Sequence, residues 1–83
     1  MEEQKLKQDA IRIGANIRRL RQEKHMGQTE LVRLLQLEGV GMTRECLVKI
    51  ERGAQHIQAT RLRAIRDALG VTYEDLLAPA EGD

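Results

Sequence analysis

Apolar residues recur at intervals of three and four over most of this 83-residue chain, and no segment alternates regularly between apolar and polar residues. In the first such segment the apolar stripe contains Ile13, Ile17 and Leu20, and Leu6 and Ala10 continue it toward the amino terminus. Intervals of three and four place side chains on one face of an α-helix, whereas a strand shows an interval of two. We therefore predict an all-α fold without a sheet, in which the stripe allows the first helix to start early, toward Leu6.

The composition favours packed helices, because Tyr73 is the one aromatic residue and the core must be built from aliphatic side chains. A chain of this length forms one domain. We expect that domain to cover residues 11–78. A polar extension that can continue the first helix, 1–10, precedes it, and a tail, 79–83, follows it.

Local signals mark the ends of the first three helices. His25 falls where the first helix should end, a position that often requires a positive φ. Gly27 is an acceptable N-cap for a second helix over 28–37, after which two glycines indicate a turn. Thr43 can then cap a third helix over 44–51. The second helix, the turn and the third helix thus follow one another directly in the sequence.

Two more helices follow. The fourth is predicted over 59–69 and ends at Gly70, a natural C-cap. The fifth opens at Thr72, whose hydroxyl can cap the helix while Asp75 reaches back to the Thr72 backbone. Pro79 lies beyond its end. The sequence therefore predicts five helices.

Charge is nearly balanced, since 14 Lys and Arg stand against 13 Asp and Glu for a net charge of +1. That value alone does not indicate a nucleic-acid partner. The distribution is uneven, however, because acidic residues gather near both ends and the stretch 12–66 holds most of the arginines. The middle of the chain can therefore present a positive face.

Several classes of protein are disfavoured. Cys46 is the single cysteine and has no partners at the spacings that bind zinc. The chain shows no Ser/His/Asp set, no phosphate-binding glycine loop and no cluster of His and carboxylates, so we expect no enzyme, no metal and no cofactor. It also shows neither a membrane-spanning apolar run nor a secretion signal, and we expect a cytoplasmic protein.

Short motifs in a fixed order carry a resemblance to a known family. They are IGANIRRLR at 13–21, QTEL at 28–31, IERG at 50–53 and ALGV at 68–71. Together they resemble the lambda-repressor/Cro-type helix-turn-helix family, often called XRE. The resemblance covers residues 13–77 and is strongest in the order of the motifs and in the Ile-Glu-Arg-Gly element.

The resemblance implies a compact five-helix, lambda-repressor-like domain whose second and third helices bind double-stranded DNA, with the third in the major groove. It also implies a homodimer on a two-fold operator, and a small Cro-like or prophage-type repressor with no small-molecule effector. The chain departs from the family between Leu31 and Glu51, where it is longer than usual. The connection between helices two and three is therefore extended, either through a longer second helix or through a longer turn.

The side chains expected to contact DNA are Gln28, Thr43, Arg44, Glu45, Lys49, Arg52, Gln55 and His56. The resemblance assigns a phosphate contact to Gln28. Arg44 can pair with O6 and N7 of guanine, and Glu45 can accept from cytosine N4 or hold Arg44 in position. Arg52 is the better candidate for a phosphate. The alternative for each of these charges is a solvated surface position, and a polar loop around 55–56 needs no special role.

Two structural expectations accompany the site. The resemblance pairs Arg21 with Glu51 in an ion pair that joins the first helix to the end of the third. A dimer surface is expected from Val71, Tyr73, Leu76 and Leu77, with Tyr73 as the anchor, because amphipathic aromatics are enriched at interfaces. The alternative is that Val71 or Leu76 closes the core.

A rival function is a protein-interaction module of the same fold, either antitoxin-like or regulator-binding, with little affinity for DNA. Such a module would expose apolar side chains on its third helix. This chain is expected to expose Arg44, Glu45 and Lys49 there, beside a lone Val48. The sequence therefore favours DNA as the partner.

Overall fold

The computed structural model describes residues 5–6 and 12–79. The helices of this part of the chain are α1 (Ile13–Glu23), α2 (Gln28–Leu37), α3 (Arg44–Glu51), α4 (Ala59–Leu69) and α5 (Tyr73–Leu76). The prediction of five helices in a compact all-α domain is confirmed.

The helix ends follow from local chemistry. Thr43 caps α3 by accepting a hydrogen bond from the Cys46 N–H at 3.1 Å, and Gly70 ends α4 with a φ of 68°. At the start of α5, the Thr72 N–H donates to Asp75 Oδ2 and the Asp75 N–H donates to Thr72 Oγ1, both at 3.1 Å. The bond from the Thr72 backbone is the main cause that lowers the pKa of Asp75 below its ordinary value.

The prediction of a chain without a sheet is wrong. Lys5–Leu6 forms a short strand, β1, that pairs antiparallel with β2, Ile57–Gln58, in the register Lys5 with Gln58 and Leu6 with Ile57. The first helix therefore does not reach back to Leu6, and Ala10 lies outside the described residues. A pair this short shows no interval of two in the sequence, and its pairing depends on where the chain between α3 and α4 lies.

The apolar core receives side chains from all five helices, from β2 and from the connection between α2 and α3. Its buried members are Ile13, Ile17, Leu20, Leu31, Val32, Leu35, Met42, Leu47, Ile50, Ile57, Leu62, Ala64, Ile65, Leu69 and Leu76. The intervals of three and four that predicted the helices also place these side chains on their inward faces. Burial of this aliphatic surface is the main source of stability.

The connection between α2 and α3, residues 38–43, is anchored at both ends. Gly39 adopts a φ of 83° just after α2, and the Val40 N–H donates to the Leu35 carbonyl at 2.9 Å. Met42 inserts its side chain into the core with 1% of its surface exposed. Residues 38–43 therefore form an ordered turn after a ten-residue α2.

Leu76 is a core residue in this fold. None of its surface is exposed, and its carbonyl accepts a hydrogen bond from Asn16 Nδ2 at 2.8 Å. The same nitrogen donates to the Ala78 carbonyl at 2.9 Å. Leu76 thus has no surface to offer a second copy of the chain, and the expectation that it lines a dimer surface is corrected. Asn16 ties the end of α5 to α1.

Replacing Asn16 by leucine should lower the free energy of unfolding by about 1 to 3 kcal/mol, because it leaves two carbonyl groups without their donor in a buried place. Urea denaturation followed by circular dichroism measures this change. Arg19→Ala is the control on the same helix, since it removes the exposed ion pair with Glu23 and should cost at most about 0.5 kcal/mol. Equal losses for the two variants would contradict a special role for Asn16.

Candidate nucleic-acid interface

Helix α3 presents a charged face to solvent. Leu47 and Ile50 are wholly buried, and this orientation leaves the side chains of Arg44, Glu45 and Lys49 exposed. A helix with one apolar stripe necessarily turns its remaining positions outward. The predicted orientation of the reading helix is therefore the observed one.

The first turn of α3 carries the side chains best suited to reading bases. Thr43 is exposed, and its oxygen accepts the hydrogen bond from the Cys46 N–H, so its hydroxyl hydrogen can be donated to a further acceptor. Arg44 and Glu45 follow at once. A donor fork and a carboxylate at the exposed start of a helix match the donor and acceptor pattern of the major groove.

A buried ion pair fixes the other end of α3, and it joins the two residues that the family resemblance paired. Arg21 Nε donates to Glu51 Oε2 at 2.8 Å and Arg21 Nη2 donates to Glu51 Oε1 at 3.0 Å. The third guanidinium nitrogen, Nη1, donates to the Met26 carbonyl at 2.8 Å. The two charged side chains are 9% and 3% exposed. The bidentate geometry joins α1, the turn after it and α3 in one rigid unit.

Gln28, at the start of α2, contacts the same ion pair. Its Nε2 donates to Glu51 Oε1 at 3.0 Å, which uses one of its two amide hydrogens. Gly27, the N-cap of α2, has no side chain to cap the helix, and uncapped backbone N–H groups at a helix start favour an anion. The position of Gln28 is thus suited to the predicted phosphate contact.

A groove runs between α1 and α3 beside the start of α2. Arg18, Gln28, Val48 and Arg52 are among the side chains that line it, and the ion pair of Arg21 with Glu51 lies there too. Arg12 lines a neighbouring hollow that shares Glu51 and Arg52 with the groove. Arg18 was not among the predicted site residues. Its spacing was the available signal, because Arg18 lies one turn before Arg21 and three residues place both on one helix face.

The loop after α3 contacts the reading helix from its other side. Gln55 Nε2 donates to Cys46 Sγ at 3.2 Å, and His56 is exposed. Arg61 of α4 donates to Cys46 Sγ at 3.4 Å and to the Gly41 carbonyl at 3.4 Å. Sequence reasoning did not select Arg61, and no interval in α4 indicates a contact with the connection before α3.

The predicted DNA contacts thus occupy three places. Arg44, Glu45 and Lys49 lie on α3 with Thr43 as its N-cap, Gln28 and Arg52 lie at the far end of α3, and Gln55 and His56 line a separate hollow with Arg61. Within the described residues no group of His, Cys, Asp and Glu is arranged to hold a metal ion. No helix in that part of the chain is both long enough and apolar enough to cross a membrane.

This fold and this face define a helix-turn-helix protein that binds DNA. The chain belongs to the Cro/C1-type helix-turn-helix DNA-binding family, whose model matches residues 16–80. That family is a family of DNA-binding regulators and not of enzymes, and the chain is a DNA-binding transcription regulator.

Two solved structures share the fold. The restriction-modification controller protein C.AhdI from Aeromonas hydrophila has a TM-score of 0.69 and 25% identity, over 82% of this chain and 96% of that one. The hypothetical transcription factor NHTF from Neisseria has a TM-score of 0.72 and 28% identity, over 98% of this chain and 87% of that one. A comparison with curated proteins gave no significant match.

Removing one partner of the buried ion pair should be costly. Arg21→Met leaves the Glu51 carboxylate buried with a single neutral donor, and we expect the free energy of unfolding to fall by about 3 to 5 kcal/mol. The double variant Arg21→Met with Glu51→Leu should recover at least half of that loss, because no unpaired charge remains. Chemical denaturation of both variants measures the difference. A double variant less stable than the single one would contradict this account of the pair.

Proposed function

We propose that the protein is a sequence-specific regulator, a Cro-like or prophage-type repressor, that inserts α3 into the major groove of double-stranded DNA as a homodimer. The observation that carries this proposal is the charged outer face of α3, whose far end is held in place by the buried pair of Arg21 and Glu51. A reading helix must be rigid if its side chains are to meet base edges in one register. Access to DNA also agrees with a cytoplasmic location.

The side chains divide between bases and phosphates. Arg44 and Glu45 project from the first turn of α3 and suit guanine and cytosine in the major groove. Lys49 lies one turn further on and reaches a base or a phosphate. Arg52 and Gln28 lie beyond the far end of the helix, where a phosphate contact sets the register without reading sequence.

A protein-interaction module is less well supported. The exposed positions of α3 are charged, and Val48 is half-buried. Among the described residues the most exposed large apolar side chain is Leu37, with 77% of its surface accessible, and it lies at the end of α2 and not on the reading helix. Both structural neighbours carry names of regulators, a controller protein and a transcription factor, which agrees with the DNA function.

The dimer surface that we propose is built from Tyr73, Val71 and Leu77. Tyr73 is 38% exposed, and the Arg66 guanidinium lies 4.5 Å from the centre of its ring. Val71 and Leu77 are partly buried against the core and offer only their outer edges. Two copies are needed because one helix reads too few base pairs to discriminate among the sites of a genome.

Replacement of Arg44 by alanine should lower the affinity for a selected operator by about 1 to 3 kcal/mol and relax the preference at one base position of each half-site. Arg52→Ala should weaken operator and unrelated DNA equally, because a phosphate contact carries no sequence information. The operator is first selected from a pool of random DNA sequences. Fluorescence anisotropy titrations then compare the DNA affinities of the two variants with that of the wild type. Arg63→Ala, an exposed change on α4, is the control. A uniform loss for Arg44→Ala would exclude base reading by this residue.

Replacement of Tyr73 by alanine should weaken the dimer, which sedimentation at micromolar concentration measures. Leu37→Ala is the matched control, since it removes an exposed apolar side chain elsewhere. In the dimer the two reading helices should lie about 34 Å apart on an inverted repeat. A monomer that binds a non-palindromic site at one copy per duplex, or a dimer broken by Leu37→Ala and not by Tyr73→Ala, would overturn this assembly.

A further inference from the structure

Arg18 and Arg52 line the same groove from two different helices. Arg18 lies on α1 and Arg52 is the C-cap residue of α3, and both side chains are exposed. Among the described residues, neither guanidinium group makes a hydrogen bond or an ion pair. Two like charges that line one groove without a counter-charge repel each other, and an anion bound between them relieves that repulsion.

The carboxylate of Glu51, which also lines the groove, does not repel an anion there. The Glu51 carboxylate accepts two hydrogen bonds from Arg21 and one from Gln28, so its charge is neutralised by Arg21. Within the described part of the chain, the groove therefore holds no carboxylate that is free to neutralise Arg18 and Arg52. Gln28 has a second amide hydrogen that it does not use on Glu51, which adds a neutral donor.

The groove lies beside the far end of the reading helix and the start of α2. With α3 in the major groove, this end of the helix borders the sugar-phosphate backbone. We propose that Arg18 and Arg52 bind one and the same DNA phosphate from opposite sides, with Gln28 as a third donor. Guanidinium forks suit a phosphate because each can donate two parallel hydrogen bonds. The inference rests on the proposed DNA-binding mode, and it makes α1 a direct part of the interface.

The test is a double-mutant cycle on the salt dependence of binding to a duplex of arbitrary sequence. Each phosphate contact contributes about 0.9 to the slope of the logarithm of the binding constant against the logarithm of the salt concentration. This corresponds to roughly eightfold in affinity at about 0.1 M salt. Arg18→Ala and Arg52→Ala should each weaken binding. If the two arginines share one phosphate, the salt slope of the double variant should fall by about 0.9 per protomer. If each arginine binds its own phosphate, the slope should fall by about 1.8.

Two controls separate charge from structure. Arg19→Ala removes the same charge from the same helix, and Arg19 lies on the side near Asp75 of α5, whose pKa it helps to lower; the salt slope should not change. Arg18→Lys keeps the charge and should keep most of the slope while losing part of the affinity. Thermal melting of each variant verifies that the fold is intact.

The outcomes are distinct. An Arg18→Ala variant that binds like Arg19→Ala overturns the inference and leaves the DNA-binding function standing. If the decreases in salt slope of the two single variants add up in the double variant, the two arginines do not share a phosphate. A wild-type protein that binds no duplex at any salt concentration overturns the proposed function together with the inference.

Discussion

The bidentate ion pair between Arg21 and Glu51 determines how the reading helix is held. Both side chains lie almost entirely inside the protein, where an unpaired charge would be far too costly to tolerate. The pair therefore persists only if α1 and α3 keep one relative position, and the bond from Arg21 to the Met26 carbonyl extends the constraint to the turn before α2. The exposed face of α3 inherits its orientation from this buried contact.

The elements that could be predicted from the sequence are those specified by neighbouring residues. Thr43 caps α3 through a hydrogen bond to a residue three positions later, and Thr72 does the same for α5. The left-handed residues His25 and Gly70 lie just past the ends of their helices, as expected. Such contacts span one helical turn, so the local sequence contains both partners. The family resemblance then added one pairing of distant residues, that of Arg21 with Glu51.

The features that the sequence did not reveal depend on the assembled fold. The strand Lys5–Leu6 exists because the chain between α3 and α4 lies beside it, and nothing in two residues indicates that neighbour. The sequence left open whether Leu76 lines a dimer surface or closes the core; it packs into the core, and Asn16 donates a hydrogen bond to its carbonyl group. Arg18 lines the groove with Arg52 only because α1 packs against the end of α3. Each of these features is a contact between elements that are far apart in the sequence and meet only in the folded protein.

The long connection between α2 and α3 changes one end of the site and not the other. Gln28 still reaches Glu51 at 3.0 Å, so the added residues do not separate the start of α2 from the far end of α3, where we propose the phosphate contacts. The connection itself is anchored before α3, where Met42 enters the core and the Gly41 carbonyl accepts a hydrogen bond from Arg61. That is the end that carries Arg44. The connection therefore bears on the end of α3 where we propose that bases are read, because it leads into the first turn of α3, while the proposed phosphate contacts lie at the opposite end.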